Sequence, residues 1–433
     1  MIISLIMHFD TLKGWLDWQE SLHPRSIDLG LDRVTQVYHA LKAPAPKKLV
    51  TITVAGTNGK GSSIAFLEAI YLAQGLKVGA YTSPHIINYN ERIKINAQPI
   101  SDELICAAFA RIEAVRNNIS LSYFEFGTLA ALDIFSRSEL DIQLLEVGLG
   151  GRLDAVNIVD PDAAIVTSIS IDHTAWLGET REAIAYEKSG VFRANTPAIT
   201  GELEPPQPLI DNAEKINARL LRLGHEFSYQ KNATSWDWQC GKNHLNDLPA
   251  PQLKGEHQYR NAASVLTAID NLQSKIAVSE QAIKQGLSNT KLAGRFQYIK
   301  SAPPVLLDVS HNPQAAQALV EHLQAEFQHT PVHAIFTMMN DKDLTGVISL
   351  MQPFIKHWYI APLDHSRAST ESELKNAFQH CDIIQVSFGF ENFLTSYYAA
   401  KNKAQADQGV ILIFGSFFLV SEYLTLFSNS QGQ

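Results

Sequence analysis

One stretch limits the fold more than any other. "VTITVAGTNGKGSSIAF", Val50 to Phe66, runs from a β-branched apolar segment through a glycine-rich turn into a helix-forming segment. A strand that is apolar throughout is buried on both faces, as in a parallel sheet covered by helices. Gly56, Gly59 and Gly61 permit a turn whose amides face an anion, and the helix N-terminus behind them adds its positive end. Lys60 and the hydroxyls of Thr57, Ser62 and Ser63 complete a phosphate cradle. The spacing departs from the general pattern of Gly, four residues, Gly-Lys-[Ser/Thr]. Val54 stands five residues before Gly59, and Gly61 follows Lys60. The plain alternative is a strand-helix turn with a solvated lysine. The setting, after a strand and opening a helix, favours the phosphate reading.

The rhythm continues along the chain. "KKLVTITVAG", "KVGAYTSP", "DIQLLEVGLG" and "DAAIVTSIS" read as strands. Ser62 to Gln74, Asp102 to Asn117 behind Ser101, and "GTLAALDIFSR" read as helices. This alternation predicts an α/β fold with a parallel sheet and helices on both faces. Ligands then gather at the carboxyl ends of the strands. Ser83 to Ser101 interrupts the rhythm and reads as a long functional or mobile loop. Glu202 to Pro251, with its prolines, reads as irregular with some strand. The rhythm resumes with the strands "FQYIK", "PVLLDVS", "VHAIFTM", "HWYIAPL" and "GVILIFGS", and with helices starting after Asn312, Asp343, Thr370 and Glu391. The expected domains are 1–296 and 297–433, a division consistent with 433 residues being too many for one ordinary core.

A net charge of −9 argues against nucleic-acid partners. Cys106, Cys240 and Cys381 form no CxxC pair and no even disulfide framework, which fits a reducing cytoplasm. The start "MIISLIMHFD" lacks the features of a signal peptide. The apolar tail "GVILIFGSFFLVSEYLTLF" is broken by Gly415, Ser416, Ser421 and Glu422, so it reads as strand, turn and helix rather than a membrane span.

Polar residues recur at the predicted strand ends. Ser83 and His85 follow one strand, Glu146 sits late in another, and Asp172 and His173 follow a third. An unpaired carboxylate at a position like Glu146 is costly, so a metal or cation is expected beside it. Hydroxyl, carboxylate and imidazole together point to a metal. Mg²⁺ prefers oxygen donors, so the imidazole is unusual, and Mn²⁺ can substitute. Spacing alone reads Lys188, beside Glu187, as a surface lysine near a helix end.

The stretches "VAGTNGKGSS", "YTSPH", "EVGLGGRLDAVN", "SIDHTAWLG", "AYEKSG", "GRFQ" and "DVSHNPQA", in this order, resemble the folylpolyglutamate synthases of the Mur ligase superfamily. The resemblance spans nearly the whole chain. It implies a Mur ligase-like P-loop ATPase domain followed by a smaller, Rossmann-like α/β domain that faces the ATP cleft from the other side. Gly56, Thr57, Asn58, Gly59, Lys60, Gly61 and Ser62 would bind ATP phosphates, a spacing normal for this family. Asn261, Arg295 and Asp308 would also contact ATP, and His311 would serve the glutamate or phosphate side. Ser83, Glu146, His173 and Lys188 would form the site for one or two Mg²⁺ ions. Lys188 would carry a carbamate, which requires a neutral amine and so a depressed pKa. Lys60, His173 and Lys188 would carry the chemistry.

"SIDLGLDRV", "SYFEFGT" and "RLDA" resemble the bifunctional bacterial members. Ile27, Asp28, Leu29, Gly30, Ser122, Tyr123, Phe124, Glu125, Leu153, Asp154 and Ala155 would line a pterin site, with Phe124 stacked on the ring. Val156 and Ala175 depart from the threonine and the acidic residue common in the family. The implied activity joins L-glutamate to dihydropteroate and adds glutamates to reduced folates through an acyl phosphate. The implied state is a cytoplasmic monomer with no membrane partner. The alternatives are chain extension alone, a cell-wall Mur-type ligase, or a nucleotide-dependent switch. The short stretch before the phosphate loop speaks against a Mur ligase with its extra N-terminal domain, and the Glu146, His173 and Lys188 set speaks against a switch.

Overall fold

In the computed structural model, which describes residues 9–25, 27–41 and 49–427, the apolar run becomes strand β1 (Val50–Ala55), buried from Thr51 onward. The leading residues 1–8, Ser26 and the start of the first predicted strand at Lys47 and Lys48 lie outside the described residues. The described chain forms two compact units. One comprises residues up to Gln252 together with Tyr259–Thr290, and the other comprises Leu253–Gln258 and the residues from Lys291 on. The sequence leads one to expect a single division, after residue 296. The contacts draw it after Thr290 and give a short upstream segment to the second unit.

The first unit is built on an eight-stranded sheet. In chain order its strands are β1, β2 (Val78–Tyr81), β3 (Ile93–Ile95), β4 (Gln98–Pro99), β5 (Ile142–Glu146), β6 (Ala163–Val166), β7 (Pro197–Thr200) and β8 (Arg219–Arg222). Their spatial order is β4-β3-β2-β5-β1-β6-β7-β8, parallel except where β3 meets β2 and β4. The chain leaves β1 toward β2 on one side and later crosses to β6 on the other. The loop after β1 therefore lies at the switch point where such sheets bind ligands.

Local chemistry sets the element ends. The helix Tyr123–Ser136 starts four residues before the predicted "GTLAALDIFSR", because Ser122 and Glu125 form a capping box. The predicted loop Ser83–Ser101 holds a 3₁₀ turn, Tyr89–Arg92, and the antiparallel edge strands β3 and β4. Glu91 orders it by accepting the amides of Ile86, Ile87 and Asn88 at 2.7, 2.8 and 2.7 Å.

The region read as irregular also has structure. After the helix Gln207–Lys215 and β8, strands β9 (Phe227–Lys231), β10 (Ser235–Cys240) and β11 (Asn243–Pro249) form an antiparallel sheet. Trp238 ties this sheet to the helix His257–Leu272, its indole N–H donating to Ala263 O (3.1 Å) and Thr267 Oγ1 (3.2 Å).

The second unit carries β12 (Gln297–Ile299), β13 (Val305–Leu307), β14 (Val332–Phe336), β15 (His357–Ile360), β16 (Val386–Ser387) and β17 (Val410–Phe414), in the order β12-β13-β17-β14-β15-β16. Only β12 is antiparallel, and the two-residue β16 has no counterpart among the strands expected from the sequence. The apolar tail is β17 followed by the helix Phe417–Phe427. No helix among the described residues is long and apolar enough to cross a membrane.

Candidate active site

The segment after β6 pins the phosphate loop from the side. Thr57 N–H donates to Ser168 O (2.7 Å), and Thr57 Oγ1 exchanges hydrogen bonds with the backbone of Ser170 (both 3.1 Å). Asn58 N–H donates to Ser168 Oγ (3.1 Å), while Thr167 Oγ1 (2.6 Å) and Ser168 Oγ (3.1 Å) donate to Asn58 O. Gly56 has φ +144°, and a side chain there would run into Thr167 Oγ1. Gly59 has φ +91°, and a Cβ there would stand 2.5 Å from Asn261 Oδ1. Both positions require glycine, and Asn261 lies against the loop at Gly59. Lys60 Nζ donates to Gly56 O (2.9 Å) and Thr57 O (3.1 Å), which keeps its charge on the loop. Gly61 and buried Ser62 continue into the helix Lys60–Ala73.

Strand register brings the polar ends to one edge of the sheet. Tyr81 pairs with Leu145, Glu146 with Val54, and Val166 with Ala55. Ser83 N–H donates to Oε2 of buried Glu146 at 3.1 Å. Beyond β6, His173 adopts φ +53°, and its N–H donates to Asp172 Oδ1 (2.8 Å). His85 is engaged elsewhere, accepting Arg92 Nε–H at Nδ1 (2.8 Å). Burial, reinforced by Arg92, lowers the pKa of His85 to about 4.

Lys188 corrects the reading from spacing. It lies on the helix Arg181–Ser189, yet is 4% exposed. Burial pulls its pKa down to about 7, the Lys60 charge acts in the same direction, and Asp172 and Asp154 oppose. The phosphate-loop lysine, Asp172 and Lys188 therefore share one electrostatic environment. Residues given no role in the sequence hold this helix in place. Arg152 N–H donates to Glu187 O (2.8 Å) and its guanidinium pairs with the Glu187 carboxylate (2.8 Å). Asn157 Nδ2 bridges Arg152 O and Gly190 O, both at 3.0 Å, and Arg193 donates to Asn157 Oδ1 at 2.9 Å.

Among the described residues no group of three or more His, Cys, Asp or Glu side chains could hold a metal ion. The adjacent Ser83 and Glu146 nevertheless offer hard oxygen donors of the kind Mg²⁺ takes. Lys188 joins such a set only after conversion to an oxygen donor.

The segments expected to hold a pterin meet one another. Gly30 N–H donates to Leu153 O (3.2 Å). Arg33 links Asp28 (2.7 Å) to Glu125 (3.1 Å), and Glu125 also accepts Ser122 N–H (2.7 Å). Ile27 and Leu29 flank Asp28 and are half-buried. Tyr123 meets Tyr89 edge-on at 5.7 Å, and the ring of Phe124 lies 5.9 Å from that of Tyr81. Asp154 accepts the amides of Leu149 (2.8 Å) and Val156 (3.0 Å), beside buried Ala155. Burial raises the pKa of Asp154 to about 6 despite these amides and the Lys60 charge. Arg33 thus fastens the Asp28 segment to the Glu125 segment, the Gly30–Leu153 bond fastens it to the third, and Asp154 orders that third segment from within.

Arg295, Asp308 and His311 belong to the second unit. Buried Asp308 accepts the amides of Phe296 (3.0 Å) and Ser310 (2.8 Å), and burial raises its pKa while Arg295 lowers it. Arg295 lies 5.1 Å over the Phe417 ring, and the His311 ring lies 6.1 Å from the same residue.

A parallel sheet with a glycine-rich loop at its switch point, a loop-bound lysine and acids at the neighbouring strand ends define a nucleotide-dependent α/β enzyme. Residues 54–269 match the Mur ligase middle domain, and residues 294–417 match the Mur ligase glutamate ligase domain. The dihydrofolate synthase/folylpolyglutamate synthase of Escherichia coli K12 is 41% identical over 413 residues, which cover 95% of this chain and 94% of that protein. The protein of the same name from Haemophilus influenzae is 41% identical over 431 residues, covering 95% and 96%. The structure of E. coli FolC in complex with DHPP and ADP matches with a TM-score of 0.91 at 40% identity, covering 98% of this chain and 99% of that one. A bifunctional folylpolyglutamate synthase/dihydrofolate synthase with Mn, AMPPNP and L-glutamate bound matches at 0.88 and 42% identity, covering 97% and 98%. The chain belongs to the dihydrofolate synthase/folylpolyglutamate synthase family of the Mur ligases.

Proposed function

We propose that the chain is an ATP-dependent amide ligase that joins L-glutamate to dihydropteroate and adds further glutamates to reduced folates. The γ-phosphate of ATP passes to the acceptor carboxylate, giving ADP and an acyl phosphate. The amino group of L-glutamate attacks the acyl carbon, and phosphate leaves as the amide forms. The observation that carries this reading is the glycine-rich loop at the sheet's switch point, with Lys60 held on the carbonyls of Gly56 and Thr57, in a chain that matches both Mur ligase domains.

In this reading the amides and Lys60 of the loop Gly56–Ser62 hold the ATP phosphates, and Asn261 keeps the loop in shape. Positioning and charge stabilisation are the main contributions an enzyme makes to phosphoryl transfer. Ser83, Glu146, His173 and a carbamate on Lys188 would hold Mg²⁺ or Mn²⁺. The metal supplies charge neutralisation at the transferring phosphoryl group. The amine of Lys188 adds to CO₂, losing a proton, and the carbamate provides the oxygen donor that an ammonium cannot. Asp28, Glu125 and Asp154 hold the walls of the pterin site, with Phe124 against the ring. Arg295 and Asp308 serve the nucleotide, and His311 the glutamate or phosphate side. The proposed setting is a cytoplasmic monomer whose partners are small molecules.

The test is incubation with Mg²⁺, ATP, L-glutamate and either dihydropteroate or tetrahydrofolate, following ADP and product mass. Both acceptors should yield products one glutamate heavier. Turnover with tetrahydrofolate alone would restrict the activity to chain extension, and ADP release without either product would refute the ligase.

A further inference from the structure

Phe296 is a bulky residue in a backbone region that bulky residues avoid. Its φ is +43° although it is buried. Such a conformation persists only where the surroundings over-determine it, and these places cluster at functional sites. Three contacts hold this one. Phe296 N–H donates to the buried Asp308 carboxylate (3.0 Å). The ring stacks on His322, with centroids 4.4 Å apart and planes 4° apart. His257 meets the same ring edge-on at 5.6 Å and 88°.

The residue before it is Arg295. On its other side Gly294 also has positive φ, +65°, and accepts Val309 N–H through its carbonyl at 3.1 Å. The turn is therefore fastened on both flanks of Arg295 to the segment that carries Asp308. A packing role alone does not require this geometry, since an apolar side chain on ordinary backbone fills a core equally well. A left-handed residue next to Arg295 changes the direction in which the arginine is presented.

We propose that the Phe296–His322 stack is a positioning device for Arg295, holding the left-handed turn from which the guanidinium is presented. The proposal rests on the nucleotide role given to Arg295 above. His322 is half-buried on the helix Pro313–Glu326, and Tm reports whether a substitution there disturbs the fold.

The test compares His322→Ala, His322→Phe and Arg295→Ala in the full chain, measuring kcat, KM for each substrate and Tm. His322→Ala should raise KM for ATP by about two- to tenfold, the range set by the strength of an aromatic pair. KM for L-glutamate and dihydropteroate should stay within about twofold, because the change removes an interaction made with one substrate. His322→Phe keeps a stacking ring and should restore KM for ATP. If Arg295→Ala raises KM for ATP while His322→Ala lowers only Tm, the stack is packing and the proposal falls. If Arg295→Ala itself changes neither kcat nor KM for ATP, the nucleotide role of Arg295 fails, and the proposal fails with it.

Discussion

Lys60 holds its ammonium on the carbonyls of Gly56 and Thr57, within the loop it is proposed to serve. Lys60→Ala removes that charge and leaves the glycine geometry intact. Ligation should fall by at least about a hundredfold in kcat, the scale of removing one preorganised donor. Near-normal turnover would take the loop out of the mechanism. Lys188 makes a separate prediction about stability. With its pKa lowered to about 7, the folded chain gives up a proton that the unfolded chain keeps until roughly the ordinary lysine value of about 10.4. Between those values the unfolded state binds more protons, so the unfolding free energy rises with pH. Below about pH 7 both states are protonated and the whole penalty of the buried charge is felt. Lys188→Met should therefore be more stable than the parent at pH 6 in CO₂-free buffer, with the gap closing toward pH 10. Denaturation at a series of pH values measures this, and a gap that widens with pH would contradict a neutral buried amine.

At the scale of elements, the loop that leads into the edge hairpin β3–β4 is ordered by one carboxylate. Glu91 accepts three successive amides, and hydrogen bonds to a charged group are the stronger kind. Glu91→Ala should lower the local stability of residues 86–100 by about 2 kcal/mol. Amide hydrogen exchange should accelerate there and remain unchanged in β1. Unaltered exchange in that segment would mean another contact orders it. The hairpin also shows which elements the sequence revealed. β1, β5 and β6 are short apolar runs buried on both faces, so their pattern is visible in one dimension. β9 and β11 are mostly exposed and partly polar, and they become strands by pairing with β10. The site divides in the same way. The glycines, Lys60 and Glu146 stand in compact local stretches. Thr167 and Ser168 reach Asn58 across 109 and 110 residues, and Asn157 reaches Gly190 across 33, so their parts emerge only after folding. The burial of Lys188 was hidden for the same reason, because the Arg152–Glu187 pair that fixes its helix spans 35 residues.

At the scale of the whole molecule, the chain is not cut once into two pieces. The segment Leu253–Gln258 precedes the last part of the first unit yet belongs to the second. His257 carries this connectivity, meeting Phe296 edge-on while opening the helix His257–Leu272. A substitution at 257, amid residues of the first unit in sequence, should therefore be felt in the second. In His257→Ala the loss of one aromatic contact, about 1 kcal/mol, should speed amide exchange roughly fivefold around Phe296, β12 and β13. The amides of β1 and β5 should keep their protection, because no strand of that sheet takes part in the contact. Hydrogen exchange on the intact chain reads both regions in one experiment. Faster exchange confined to the first unit would place Leu253–Gln258 there and restore a single division near Thr290. Acceleration at β12 and β13 instead identifies the short segment as part of the second unit's core, contributed by a chain that has yet to complete the first.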